Sequence, residues 1–344
     1  MVPKTNAGRF FEDYVLGEVI QHAVPRTLSG GERAMYHALY PARHALYSSD
    51  EFARACGMNL SPIDDMIVFH TVFGKSVPDI SLNAVANLGY AEGRFLQPVW
   101  PMDTLRSESE VIGLKQNSNG KTGVVYVRTR GINQHGATVL EFVRWVMVRK
   151  KDIDAPAPQT VVPELDQTIA ATDLMVPRGL TFAGYDFGLA GEPHRGRDYE
   201  IGEKIDHVDG VTIEEAEHMI ATRLWQNTAK VHFDTSARPD GSRLIYGGHV
   251  ISMARALSFN GLANAQMIVG LNGGAHANPC TSGDTVRAWS EILDKADTAA
   301  PGVAAVRLRL VATKGGAPFE LRGEDGKYLP TVLLDLDYWA LMPK

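Results

Sequence analysis

Residues 89–112 read GYAEGRFLQPVWPMDTLRSESEVI, and residues 270–293 read GLNGGAHANPCTSGDTVRAWSEIL. The two segments align at an offset of 181 and share a pattern of glycine, proline and polar residues. A second pair, 13–49 and 198–234, aligns without a gap at an offset of 185, with nine identical residues in 37 positions. The repeats occur in the same order in both halves, which indicates a duplicated domain. The residues shared by the first pair are Gly93 and Gly274, Pro98 and Pro279, Asp103 and Asp284, Thr104 and Thr285, and Arg106 and Arg287.

The composition is that of an ordinary globular protein. The chain has 344 residues, of which 44% are hydrophobic, with 34 Lys and Arg against 40 Asp and Glu and a formal net charge of −6. This length predicts two domains. The mild acidity argues against a nucleic-acid partner, because such partners require a strong basic field. The sequence has no signal-peptide core and no uninterrupted run of about 18 apolar residues, so we expect no membrane association.

The cysteine content points to a reducing compartment. Cys56 and Cys280 are too few for a disulfide framework, and no Cys/His cluster has zinc spacing. We therefore expect a cytoplasmic protein without a metal site.

The repeat and the proline distribution predict the domain boundaries. We place an N-terminal domain at 1–155, a proline-rich linker at 156–195 and a C-terminal domain at 196–344. Ser61 as N-cap, followed by Pro62 and Asp64, predicts the start of a buried helix.

Each copy shows the same order of elements. Helical spacing is followed by a loop, a short apolar helix and several runs rich in Val, Tyr, Trp and Leu. One helix with several antiparallel strands per copy predicts an α+β fold, in which a curved sheet wraps a central helix. The predicted helices span 29–40, 214–226, 63–74 and 248–259, and the predicted strands include 122–130, 138–149, 304–312 and 330–341.

Several segments resemble a known family. FLQPVWPMDTL, residues 95–105, resembles the strand motif of hot-dog proteins, and more narrowly of MaoC-like (R)-specific enoyl-CoA hydratases and dehydratases; residues 276–286 repeat it more weakly. Residues 61–95, residues 119–134 and the total length are similar to the branch that acts on mesaconyl-CoA (2-methylfumaryl-CoA). The resemblance implies a double hot-dog fold of two tandem hot-dog domains. It also implies reversible hydration of that thioester to β-methylmalyl-CoA, in the ethylmalonyl-CoA pathway or a related carbon assimilation route.

The resemblance implies that only the second copy is catalytic. The family's active loop carries an acid or amide, four intervening residues and a histidine, which here are Asn227 and His232; the gapless alignment places Ala42 and Tyr47 there in the first copy. Histidine exchanges protons near neutrality, so His232 is the predicted base. An amide orients water but cannot accept its proton, so Asp234 is an alternative source of a carboxylate base.

A thioester that becomes an enolate needs hydrogen-bond donors. Gly248 and the amide of His249, at the predicted start of the second buried helix, are assigned to the thioester oxygen, because free N–H groups at a helix N-terminus favour negative charge. The first copy has Asp64 and Asp65 at the corresponding place, where carboxylates would repel an enolate. Their expected role is to stabilise the helix dipole.

The substrate would also bring a free carboxylate and the phosphates of CoA. Lys230, Arg255 and Arg43 are the candidates for the carboxylate, while Arg94 and Arg106 are candidates for the phosphates. We expect no cofactor other than the CoA thioester itself, which is the substrate, and a homodimer as the assembly. The alternatives are a hot-dog acyl-CoA thioesterase, a hydratase of a different enoyl-CoA, and a non-catalytic acyl-CoA-binding module.

Overall fold

A computed structural model describes residues 4–344, and ten strands in this part of the chain form one antiparallel sheet. The order is β1-β3-β4-β5-β2-β7-β10-β9-β8-β6, so each copy contributes five strands in mirrored order. The copies join where β2 pairs with β7, with Tyr90 opposite Gly274. The strands are β1 (Val19–Thr27), β2 (Ala84–Phe95), β3 (Thr104–Gln116), β4 (Thr122–Ile132), β5 (Thr138–Arg149), β6 (Lys204–Thr212), β7 (Met267–His276), β8 (Thr285–Asp297), β9 (Val303–Lys314) and β10 (Val332–Pro343).

Two helices, α4 and α8, fill the inside of the sheet. Helix α4 has 14 of its 16 residues buried, and α8 is buried from Gly248 to Leu257, because both are apolar around most of their circumference. The predicted α+β double hot-dog fold is therefore confirmed. No helix among residues 4–344 is both long and apolar enough to cross a lipid bilayer. The α-helices are α1 (Gly30–Leu39), α2 (Ala45–Ser48), α3 (Asp50–Ala55), α4 (Asp65–Ile80), α5 (Phe187–Ala190), α6 (Glu215–Leu224), α7 (Lys230–Phe233), α8 (Gly247–Leu257) and α9 (Phe259–Leu262), with short 3-10 helices at Phe11–Asp13, Ala171–Asp173, Gly196–Asp198 and Thr235–Ala237.

The start of α4 differs from the prediction. The N-cap is Asp64, whose side chain accepts from the Met66 amide at 2.8 Å. Ser61 does not cap this helix, because its amide donates to Asp50 Oδ1 at 2.9 Å and so fixes a preceding loop. The prediction of Ser61 as N-cap is therefore wrong, while Asp64 stabilises the first turn as expected.

Helix α4 also continues past the predicted end at residue 74. It runs through Gly74 to Ile80, because the glycine serves packing here rather than termination. A Cβ atom at Gly74 would lie 1.7 Å from the Trp225 carbonyl oxygen, so only glycine lets the second copy approach so closely.

The segment predicted as a linker, 156–195, packs on the sheet. Its buried residues include Ile169 and Phe182, which belong to a cluster with Trp339 of β10. The Ile169 amide donates to Asn272 Oδ1 at 2.8 Å, and the Trp339 indole donates to the Ile169 carbonyl at 3.1 Å. The segment thus covers β7 and β10 on the face opposite to α8.

Candidate active site

A cavity of ≈480 Å³ lies between the two copies. Its volume is in the range of small-molecule sites, and its wall combines aromatic and apolar side chains with a few polar groups. Helix α4 and strands β2 and β5 of the first copy form one side, and the loop after α6, the start of α8 and the end of β7 form the other. The lining residues that matter for the chemistry are Phe73, Tyr90, Arg144, Asn227, Lys230, His232, Tyr246, Gly247 and His276.

His232 faces this cavity from α7, in one defined tautomer. Its Nδ1 lies 2.7 Å from the Leu244 carbonyl oxygen. A carbonyl only accepts, so Nδ1 carries the proton and Nε2 carries the lone pair. Burial lowers the pKa of His232 below 6.5, against a smaller opposite effect of the Leu244 carbonyl. The imidazole is therefore neutral at pH 7 and able to accept a proton.

Asn227 reaches the cavity from the loop between α6 and α7. Its backbone amide donates to the Thr222 carbonyl at 2.9 Å, and its Oδ1 accepts from the Ala229 amide at 3.3 Å. These two bonds fix a side chain that is only 2% exposed. The Nδ2 group can donate to a bound water, which is the part that an amide can perform.

Gly247 is the first residue of α8 and the residue of that helix start that lines the cavity. A Cβ atom at this position would lie 2.4 Å from the His276 ring, so glycine allows the histidine to pack against the helix start. The helix N-terminus therefore presents backbone N–H groups and the positive end of its dipole to the cavity. This arrangement suits an oxygen on which negative charge develops.

Three predicted residues lie away from the cavity lining. Gly248 packs against the ring of Tyr246, and the His249 amide donates to the Tyr246 carbonyl at 2.9 Å. The sequence pattern placed the start of this helix at Gly248, one residue after the observed start at Gly247. Asp234 is exposed, and its Oδ1 caps the following turn by accepting from the Ser236 amide at 2.9 Å. None of the three belongs to the cavity wall.

Of the predicted basic residues, the structure brings only Lys230 to the cavity, where it lies exposed at the mouth. Arg43 stacks on the Phe259 ring at 4.5 Å, and the buried Arg255 donates to the backbone carbonyl of Ala265, in the loop before β7, and to Ser258 Oγ. Arg94 lies in β2 opposite Glu141, and Arg106 is exposed near Glu108 at 3.8 Å. None of these four arginines lines the cavity. Arg43 and Arg255 have structural partners and Arg106 faces solvent, whereas Arg94 is half-buried and its Nε–H group has no hydrogen-bond partner among the described residues.

Sequence reasoning missed Arg144, His276 and Tyr90. Arg144 is completely buried in β5 and lines the cavity. His276 Nε2 lies 3.0 Å from the Tyr90 hydroxyl, across the junction of the two copies. A signal for Arg144 was present, because strand alternation places it on the same face as two apolar residues, Phe142 and Val146.

The corresponding place in the first copy is filled. Tyr47, aligned with His232, donates a hydrogen bond to Asp65, which also accepts from the Ile268 amide at 2.7 Å. Residues of the connecting segment, Met175 and Pro177, close the hollow beside Asp65, which holds ≈20 Å³. Burial raises the pKa of Asp65 to about 8, so its carboxyl is protonated at pH 7. The hollow at this place is therefore too small for the substrate.

A duplicated hot-dog fold whose substrate-sized cavity is lined by the neutral histidines His232 and His276 fits the class of MaoC-like hydratases and dehydratases. Residues 2–316 match the family model described as mesaconyl-CoA hydratase. The chain is 75% identical over 342 residues to the mesaconyl-CoA hydratase of Cereibacter sphaeroides, covering 99% of this chain and 100% of that protein. It is 56% identical over 352 residues to the β-methylmalyl-CoA dehydratase of Chloroflexus aurantiacus, covering 100% and 99%. A crystal structure of a MaoC domain protein dehydratase from Chloroflexus aurantiacus superimposes with a TM-score of 0.97 at 56% identity, covering 100% of this chain and 99% of that one. The chain belongs to the mesaconyl-CoA hydratase family.

Proposed function

We propose that this chain is a hydro-lyase that reversibly adds water to mesaconyl-CoA and forms β-methylmalyl-CoA. The observation that carries the proposal is the neutral His232, held by the Leu244 carbonyl with Nε2 left to accept a proton at the cavity. The names of the two relatives, one for each direction of the same reaction, support the substrate and the product.

The chemistry follows from the arrangement around the cavity. Nε2 of His232 takes a proton from water, while Nδ2 of Asn227 orients that water by donating to its oxygen. The hydroxide oxygen bonds to the β-carbon, and the electron pair of the double bond moves toward the thioester. The enolate charge on the thioester oxygen is stabilised by the backbone N–H groups at the start of α8, where Gly247 faces the cavity.

The step is completed by return of the proton. The imidazolium of His232 gives its proton to the α-carbon, the enolate collapses to the thioester, and the neutral histidine is restored. Only water is added, so the proposed reaction uses no redox cofactor. The CoA thioester itself acidifies the α-position.

The remaining expectations are proposals of the same standing. A cytoplasmic location is supported by Cys56 and Cys280, which are both buried and unpaired. Lys230, predicted as a candidate for the substrate carboxylate, is exposed at the mouth of the cavity, so we now propose it for the CoA phosphates instead. The homodimer and the ethylmalonyl-CoA pathway or a related assimilation route stay predictions; light scattering and disruption of the gene during growth on acetate test them.

The decisive experiment is incubation with mesaconyl-CoA. We expect loss of the enoyl-thioester absorbance and, by mass spectrometry, the gain of one water in a product that still carries CoA. A thiol-trapping reagent in a parallel reaction tests the thioesterase alternative. Release of free CoA before any loss of enoyl absorbance would support the thioesterase, and tight binding without turnover would support a binding module.

A further inference from the structure

Arg144 is a buried cation at the cavity. It lies in β5, between Phe142 and Val146 on the inner face of the sheet, and its exposed fraction is 0%. Arginine is almost never fully buried without a charged partner, because moving a cation out of water is costly. Its presence on a face that is otherwise apolar therefore requires an explanation.

The protein itself satisfies this guanidinium only in part. Nη2 donates to Ser76 Oγ at 2.8 Å, Nη1 donates to Ser81 Oγ at 3.4 Å, and the guanidinium lies 4.3 Å from the centre of the Phe73 ring. The Nε–H group is buried without a hydrogen-bond partner. Within residues 4–344, Arg144 forms no salt bridge. A guanidinium has five N–H donors, so three of them have no hydrogen-bond partner among the described residues.

The position of Arg144 indicates which ligand this is. Its guanidinium contacts Phe73, the Phe73 ring lies 6.0 Å from the Tyr246 ring, and the Tyr246 ring lies 5.9 Å from the His232 ring. Arg144 and His232 thus lie at the two ends of a row formed by the Phe73 and Tyr246 rings, and all four residues line the same cavity. In mesaconyl-CoA, the free carboxylate is bonded directly to the β-carbon that receives water. A group that binds this carboxylate must therefore lie near the histidine that activates the water.

We propose that Arg144 binds the free carboxylate of the substrate and selects an enoyl-CoA that carries one. This inference rests on the proposed function for the identity of the substrate. The planar guanidinium forms two parallel hydrogen bonds with a carboxylate, which fixes the β-carbon as well as the charge. The cation thus helps to orient the alkene toward the water held by His232 and Asn227.

The phosphates of CoA are the other anions that could reach this cavity. Arg149, five residues further along β5 and about 17 Å away, is exposed at the cavity mouth, as is Lys230. Phosphates remain hydrated and fit the mouth, whereas Arg144 is buried among Phe73, Phe142 and Tyr90. The nucleotide therefore lies outward and the acyl group points inward in this proposal.

The test compares two substrates that differ only at this carboxylate. The second substrate is (E)-2-methylbut-2-enoyl-CoA, in which a methyl group replaces the carboxylate of mesaconyl-CoA. We expect Arg144→Met to lower the ratio of kcat/KM for mesaconyl-CoA to that for the methyl analogue by about 10²-fold or more. Arg144→Lys keeps the charge but loses the second hydrogen bond, and it should lower the ratio about 10-fold.

Arg255→Met is the matched control, because Arg255 is also a buried arginine but lies outside the cavity lining. The control should leave the substrate ratio unchanged even where it lowers thermal stability. An unchanged ratio in Arg144→Met, or an equal loss of both activities, overturns the proposal. If Arg144→Met does not fold, Arg144→Lys decides, and an unchanged ratio there overturns the proposal in the same way.

Binding of the saturated analogue 2-methylsuccinyl-CoA separates this inference from the proposed function. Calorimetry should show binding to the wild type and about 10²-fold weaker binding to Arg144→Met. If the wild type binds this analogue through Arg144 but adds no water to mesaconyl-CoA, the proposed function fails and the carboxylate site stands. If the wild type hydrates mesaconyl-CoA, and if the wild type and Arg144→Met bind 2-methylsuccinyl-CoA equally well, the proposed function stands and the role of Arg144 is refuted.

Discussion

The Nδ1–H group of His232 donates to the backbone carbonyl of Leu244 across 2.7 Å. Leu244 lies in the extended segment that leads into α8, so this hydrogen bond links the loop that carries the histidine to the helix that would face the thioester oxygen. The bond fixes both the tautomer and the direction of the ring. It thereby specifies a general base whose position does not depend on a carboxylate partner.

His232→Ala should remove most of the hydration activity. General bases contribute about 10²-fold to 10⁴-fold, so we expect kcat for mesaconyl-CoA to fall by at least about 10²-fold. Initial rates at saturating substrate measure this loss. The matched control is His135→Ala, because His135 is exposed in the turn between β4 and β5. Equal losses in the two variants would exclude His232 as the base.

The rate of hydration should respond to acid below pH 6.5 rather than around neutrality. Burial lowers the pKa of His232, and the neighbouring His218 and His276 have pKa values of about 3 and about 4 for the same reason. The neutral imidazole is the active form, so the midpoint of the acid decline in kcat/KM for mesaconyl-CoA should lie below pH 6.5. Rates measured in overlapping buffers test this. An acid limb centred at pH 7 or above would indicate a different base.

Asn227→Asp should move this acid limb to higher pH. Asn227 and His232 line the same cavity, and a buried carboxylate at 227 would stabilise the imidazolium and so raise the pKa of His232. Asn227→Ala introduces no charge, so it should lower kcat without moving the limb. The pH profiles of both variants decide this. Coincident limbs in Asn227→Asp and wild type would show that the two side chains do not interact.

The duplicated fold could be predicted because the two halves of the chain have similar sequence patterns in the same order. The shared glycine, proline and polar positions around Gly93 and Gly274 mark the ends of equivalent strands, and each buried helix is an apolar run. The ends of helix α4 could not be predicted in the same way. Ser61 is a residue type that caps helices, but it binds Asp50 instead. Gly74 does not end the helix, because it allows the close approach of the Trp225 carbonyl. Such long-range contacts are not visible in a local pattern.

The candidate site could be predicted only where a motif carried it. His232 and Asn227 follow from the resemblance of one loop to the active-loop motif of the family, and both line the cavity. Arg255 was a reasonable candidate by type and helix position, but packing turns it toward the backbone carbonyl of Ala265, in the loop between α9 and β7. Arg144 and His276 come from strands on the two sides of the junction between the copies, so only the pairing of β2 with β7 explains why they share a cavity.

The filled site of the first copy yields a prediction that separates stability from catalysis. Burial raises the pKa of Asp65 to about 8 from its ordinary 3.8, so the folded chain keeps a proton that the unfolded chain releases. This contribution to stability is present in acid and is lost as the pH rises toward 8, by up to about 1.4 kcal/mol per pH unit. Asp65→Asn removes the titration and retains an oxygen that can accept from Tyr47 and Ile268.

The free energy of unfolding of Asp65→Asn should therefore increase relative to that of the wild type as the pH rises from 5 to 8. Urea titrations at several pH values measure the difference, and Asp325→Asn, at an exposed surface turn, should show no such trend. Hydration of mesaconyl-CoA by Asp65→Asn should stay within about 3-fold of the wild type, since Asp65 lies outside the cavity that His232 faces. A loss comparable to that of His232→Ala would contradict this prediction and would mean that the first copy takes part in the reaction.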